Sequence, residues 1–267
     1  MVTRQNVIDT CRGLLQSLTA DIWRRIDNDY KREEGLNGQA LWVFATSAAV
    51  LLTAQFFCVT DFITGFPAVR ELLRDLPHRE LYPLLYWALT NVLNYCLMPL
   101  FVIKFIFRVD LRDFGIRIER GDELFRITVV ILGLVFPLII MASATEPFWR
   151  KYPFYRDEIY TVGSLALWEI AYGLQFVALE FFFRGFMLFG LARFLGSYSI
   201  FVMALPYAMI HFTKPFPEAV IAFFAGIVLG TLALYTRSLY GGVFIHIVVA
   251  WSMDMLSLYH RGILSKL

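Results

Sequence analysis

Glu180 and Arg184 stand four residues apart in the apolar stretch Ala178-Leu179-Glu180-Phe181-Phe182-Phe183-Arg184-Gly185. In a helix that spacing puts both side chains on one face. An ionisable group at membrane depth is costly and marks a functional site by default. Two later apolar runs each carry one histidine, His211 and His246. Neutral imidazole can take a proton, give one, bind a metal or donate to an oxyanion. One carboxylate and two imidazoles on three apolar helices are the parts of a hydrolytic site. The plainer alternative is an intramembrane ion pair that fixes helix packing, with histidines used as hydrogen-bonded packing residues. Glu169 lies eleven residues before Glu180, roughly 16 Å away along a helix axis, too far to share a site with it. His78 and His260 fall near loops and carry no role.

The elements that hold these residues are membrane helices. Of 267 residues, 58% are hydrophobic and only 17% charged, less charge than a soluble domain of this size carries. Several apolar runs approach the roughly 20 residues needed to cross a bilayer. The expected fold is all-α, a polytopic transmembrane bundle of about seven spans near 41–64, 81–107, 127–144, 164–194, 200–212, 218–235 and 239–259. The fourth is longer than a bilayer requires. The fifth, which ends at His211, is short and fits a buried or re-entrant segment. Asn91 and Asn94 interrupt the second span, and each should find an interhelical partner. Ala222, Gly226 and Gly230 form a ladder of small residues, which lets a neighbouring helix approach closely.

Residues 1–38 read as a cytoplasmic amphipathic segment, with Val7, Cys11, Leu14, Leu15, Leu18 and Ile22 at helical spacing. Residues 39–267 form the transmembrane domain. Arginines crowd the N-terminal segment and the connection 108–126, which places the N-terminus in the cytoplasm and the loop 145–163 on the other side. The first forty residues have no continuous apolar core and do not form a cleavable signal peptide. Cys11, Cys58 and Cys96 are far apart and read as reduced, small apolar residues.

The net charge of +2 and the lack of a basic patch interleaved with aromatics give no support to nucleic-acid binding. No HExxH, GxSxG, Walker or Rossmann pattern occurs.

Over about 165–255 the chain resembles the CAAX-protease and bacteriocin-processing family of intramembrane endopeptidases. The family's EExxxR motif appears as Leu179, Glu180, three phenylalanines, Arg184 and Gly185. Tyr207 and His211 match its aromatic residue four before a histidine. Phe224, Gly226, Gly230, Thr236, Ser238 and His246 match most of its third motif. Two positions depart: Leu179 replaces the first glutamate, and Ala250 replaces the polar residue four after the last histidine. Asp254, two turns beyond His246, is a candidate replacement for that polar group.

The resemblance implies an endopeptidase that cleaves a membrane-tethered protein, lipidated or anchored at its C-terminus, inside the bilayer. Glu180 would be the base, His211 would orient or share the proton, His246 would stabilise the oxyanion, and Arg184 would hold the geometry. No cofactor is needed; the alternative is zinc on Glu180, His211 and His246. Two other functions fit the same residues: a non-catalytic scaffold, chaperone or immunity protein, and a small transporter, although no internal repeat supports the last.

Overall fold

In a computed structural model, residues 20–30, 37–157, 159–214 and 216–267 are described. Much of the amphipathic N-terminal segment, including Val7, Cys11, Leu14, Leu15 and Leu18, lies outside the described residues. All regular structure among the described residues is helical. Six helices are long and apolar enough to cross a membrane. They are α2 (Gly38–Phe56), α5 (Leu81–Phe107), α6 (Gly121–Ser143), α8 (Val162–Leu195), α10 (Phe216–Thr236) and α11 (Tyr240–His260). The helix expected as a further span, α9 (Tyr198–Met209), has 12 residues. At 1.5 Å per residue it rises about 18 Å, well short of a hydrocarbon core of about 30 Å. The remaining helices are short: α1 (Ala20–Asp29), α3 (Thr60–Thr64), α4 (Pro67–Leu73) and α7 (Glu146–Lys151).

Helix boundaries follow local chemistry. Asn37 opens α2, its Oδ1 accepting the Gln39 N–H at 2.7 Å. α2 ends at Phe56, not at Thr64 as the hydropathy implied. The chain turns at 57–59, and the Asn91 amide takes the Cys58 carbonyl at 2.9 Å. Asn94 donates to the Val50 carbonyl at 2.9 Å. Both asparagines thus find the interhelical partners that a polar group in an apolar span requires. At the start of α8, Thr161 and Ser164 form a reciprocal capping box, with bonds of 3.0 and 3.1 Å.

α8 is the central helix. Of its apolar stretch 83% is buried, against 11–44% for the other five. Its middle, Phe181–Phe189, is wound as a π-helix, and every residue there is buried. Such wider turns are frequent at functional sites. Three rings stack on it, two from α5 and one from the turn after it: Tyr95 on Phe182 at 5.2 Å, Phe107 on Phe186 at 6.5 Å and Phe114 on Phe186 at 6.3 Å.

Polar contacts define the two ends of the bundle. At one end α1 is tied down: Asp29 pairs with Arg120 at 3.1 Å and Arg237 at 3.6 Å, and Asp27 takes the Ser197 N–H at 2.7 Å. The Leu239 N–H donates to the Gly115 carbonyl at 3.0 Å at this same end. At the other end His78 meets Asp157 at 2.7 Å and Ser143 meets His260 at 3.1 Å. α8 finishes, and α10 returns, at the α1 end. The short α9 and the turn after it therefore make the missing climb, and α1 and the C-terminal end of α11 lie at opposite ends.

Candidate functional site

Glu180, Arg184 and His246 come together, and Tyr207 joins them. Glu180 and Arg184 are both 0% exposed. Glu180 Oε1 lies 2.9 Å from Arg184 Nη1 and 2.6 Å from His246 Nδ1. His246 Nε2 lies 2.9 Å from the Tyr207 hydroxyl. The guanidinium carbon of Arg184 sits 4.2 Å from the centre of the Tyr207 ring, a cation–π contact. The Arg184–Glu180 approach has ion-pair distance without hydrogen-bond angles, so charge and the ring face are what hold the guanidinium. Phe176 stacks on the imidazole of His246 at 5.3 Å.

The sequence explains this closeness locally. The i, i+4 spacing delivers Glu180 and Arg184 from one helix. His246 comes from the first turns of α11, just after the pair Gly241-Gly242. A Cβ on Gly242 would stand inside van der Waals contact of Glu180 Oε2, so only glycine lets α11 come this near. Glu180 Oε2 is sealed there with no donor. The ladder Ala222, Gly226, Gly230 works elsewhere. Methyl groups added at Gly226 and Gly230 would meet Tyr207, Ala204 and Met203 at 2.9–3.3 Å. It thus seats α9 against α10, and α9 is the helix that carries Tyr207.

His211 follows the end of α9. Its Nδ1 lies 2.8 Å from the Tyr207 carbonyl, which fixes the proton on that nitrogen. Its Nε2 has no partner among the described residues. Tyr207 therefore links the two histidines, through its hydroxyl to His246 and its carbonyl to His211. There is no direct bond between His211 and Glu180.

His211 lines a cavity of about 370 Å³. The walls are mostly apolar, with Leu51, Trp87, Tyr95, Phe176 and Ile210 among them. Lys151 and Lys214 also line it, at the end of the bundle away from α1. Leu179 lines it as well, but Glu180 points away into the sealed cluster. Among the described residues no aspartate or glutamate lines this cavity.

The other acids are placed apart. Asp254 accepts from Trp168 Nε1 at 2.9 Å, and Trp168 packs in the apolar cluster that holds Ala250, apart from His246's hydrogen bonds. Glu169 is buried with neither oxygen partnered, and its carbonyl takes the Trp251 N–H at 2.9 Å. Among the described residues no group of three His, Cys, Asp or Glu side chains is arranged to hold a metal. Both nitrogens of His246 are committed to Glu180 and Tyr207, which leaves no lone pair for an ion.

Thr236 and Ser238 turn out to be helix-end residues. The Thr236 hydroxyl donates to the Leu232 carbonyl, and Ser238 Oγ accepts the Tyr240 N–H at 3.3 Å. Residues that sequence reading passed over are Gly242 and Gln175, the latter a buried amide on the cavity wall. The Gly-Gly pair was a visible signal for the first. Nothing in the sequence marks the second.

A family model described as type II CAAX prenyl endopeptidase Rce1-like matches residues 161–252, about a third of the chain. No curated protein matches, and no solved structure matches. The matched stretch runs from the capping box of α8 through His246 and contains every member of the cluster around Tyr207. With six apolar helices, the chain is an integral, multi-pass membrane protein, and its residues 161–252 are similar to the Rce1-like type II CAAX prenyl endopeptidases.

Proposed function

We propose that this protein is an intramembrane peptidase acting on a membrane-tethered protein segment, lipidated or anchored at its C-terminus, that enters the cavity from the Lys151 and Lys214 end. The observation that carries the reading is His211. It lines the cavity, its Nδ1 proton is held by the Tyr207 carbonyl, and its Nε2 is left free. That is the arrangement of a general base for water. Glu180 then acts behind the reacting atoms. Its charge, balanced by Arg184, orients His246, which fixes the Tyr207 hydroxyl, and Tyr207 orients His211. Glu180, Arg184 and His246 are positioning residues in this scheme.

The reading uses no metal. Zinc held by Glu180, His211 and His246 would require His246 to give up one of its two hydrogen bonds. The substrate and the surrounding bilayer are the partners it calls for. Arg108, Arg112, Arg117 and Arg120, with Arg193 and Arg237, gather at the α1 end, so that end is assigned to the cytoplasm.

The test is cleavage of a fluorogenic membrane-tethered peptide by the purified protein in nanodiscs. His211→Ala should lower the rate about 10²–10⁴-fold, the usual contribution of a general base. Full activity of that variant would end the reading. One observation favours a second function: Leu179 leaves the cavity without a carboxylate. A wild-type protein that retains the peptide but does not cut it would be a non-catalytic membrane-protein binder built on the same fold.

A further inference from the structure

α8 shows the cavity one stripe, Tyr172, Gln175, Phe176 and Leu179, at helical spacing. Gln175 is the only carboxamide on it. The residue is 7% exposed, and its Oε1 is sealed without a donor. No described residue receives its amide N–H. A buried carboxamide with neither end bonded is costly, and such a group calls for a partner. It lies one turn before Leu179 and shares the cavity with His211. His246 is not free to donate to an incoming group, because its nitrogens bond Glu180 and Tyr207. The other cavity amide with a buried position, Asn91, already donates to the Cys58 and Trp87 carbonyls.

We infer that Gln175 is the carbonyl-binding residue of the cavity, its amide N–H donating to a backbone carbonyl oxygen of an extended substrate segment. This rests on reading the cavity as the place where the substrate peptide lies. The inference also narrows the substrate. A helical segment keeps its carbonyls in its own hydrogen bonds, whereas an extended one must find donors at membrane depth. The cavity therefore selects an unwound peptide: apolar walls take its side chains and Gln175 takes one carbonyl. If the bound carbonyl is the one attacked by water, the same N–H stabilises the charge that develops on its oxygen.

The experiment compares binding of a decanoyl tetrapeptide amide with three analogues, each having one peptide bond replaced by a trans-alkene that lacks the carbonyl. Affinities are measured on the full-length protein in micelles. For one analogue the wild type should bind about tenfold more weakly than for the parent, the effect of one lost hydrogen bond. Gln175→Met, similar in length but without a donor, should bind that analogue and the parent alike. Gln175→Leu, which has neither donor nor acceptor, should do the same and stands in if the methionine variant does not fold. Equal binding of all four probes by the wild type overturns the inference, as does a preference that survives in both variants, or no binding of any probe. The outcome separates from that of the peptidase reading. A carbonyl preference without cleavage keeps this inference and removes the peptidase. Cleavage that depends on His211 without a carbonyl preference does the reverse.

Discussion

Gly242 gives Glu180 the space it occupies: the bare Cα of one sits against the carboxylate of the other, with no room for a methyl group between them. Gly242→Ala should therefore push α11 off α8 and break the 2.6 Å contact between Glu180 and His246. Overpacking of this kind commonly costs about 1–3 kcal/mol. Gly133→Ala is the control, since a Cβ there meets nothing within 4 Å. Thermal unfolding in detergent should show a lower midpoint for Gly242→Ala and none for Gly133→Ala. Equal midpoints would mean that the helices are not this close.

The Glu180–Arg184 pair predicts a strong coupling. Each charge is fully buried, and each is compensated chiefly by the other. Removing one partner of a buried pair typically costs about 3–5 kcal/mol, because the other charge remains. Arg184→Leu alone should be severely destabilised, whereas Glu180→Leu with Arg184→Leu should recover most of the loss. Additive losses in the double-mutant cycle would show that the two groups do not share a charge balance.

Leu179→Glu places a carboxyl group on the wall of the cavity that His211 also lines. If His211 alone activates water, cleavage by the wild type is weak, and the added acid should raise it. Glu180→Gln should lower cleavage, and its loss should not add to that of His211→Ala, since both act through Tyr207. A Leu179→Glu protein that folds and binds peptide but cleaves no faster would argue that the reacting bond lies elsewhere in the cavity.

Arg24 and Arg150 sit at opposite ends of the bundle with exposed side chains, 74% and 73%. Cysteines placed there in a cysteine-free background should react with an impermeant maleimide from opposite sides of sealed vesicles, Arg24→Cys from the cytoplasmic side. Reaction of both from one side would contradict the three helices that separate them.

Much of this was legible because ionisable residues are rare in an apolar chain. Glu180, Arg184 and His246 had to be buried together or not buried at all. The helix count was nearly legible too: hydropathy finds α9, but its true length of 12 residues depends on where α10 lets the chain turn back. The link through Tyr207 was not legible, because a tyrosine's hydroxyl and carbonyl serve two different histidines only once α9 and α11 face each other. Gln175 was hidden for the same reason, and Gly242 showed only as one of a Gly-Gly pair. A glycine gains meaning from the side chain opposite it, and an amide from having nothing opposite it.

The lysine end of the cavity and the clasped helix α1 lie at opposite ends of the bundle, and that separation gives the protein a sidedness. Were the arginine-rich end cytoplasmic, as proposed above, a peptide reaching the cavity beside Lys151 and Lys214 would come from the far compartment. Substrates would then be proteins already exported or inserted, with the scissile segment presented from outside. Anything docking on α1 would share no surface with them. A cell could thus adjust this protein from one compartment while its work is done in another.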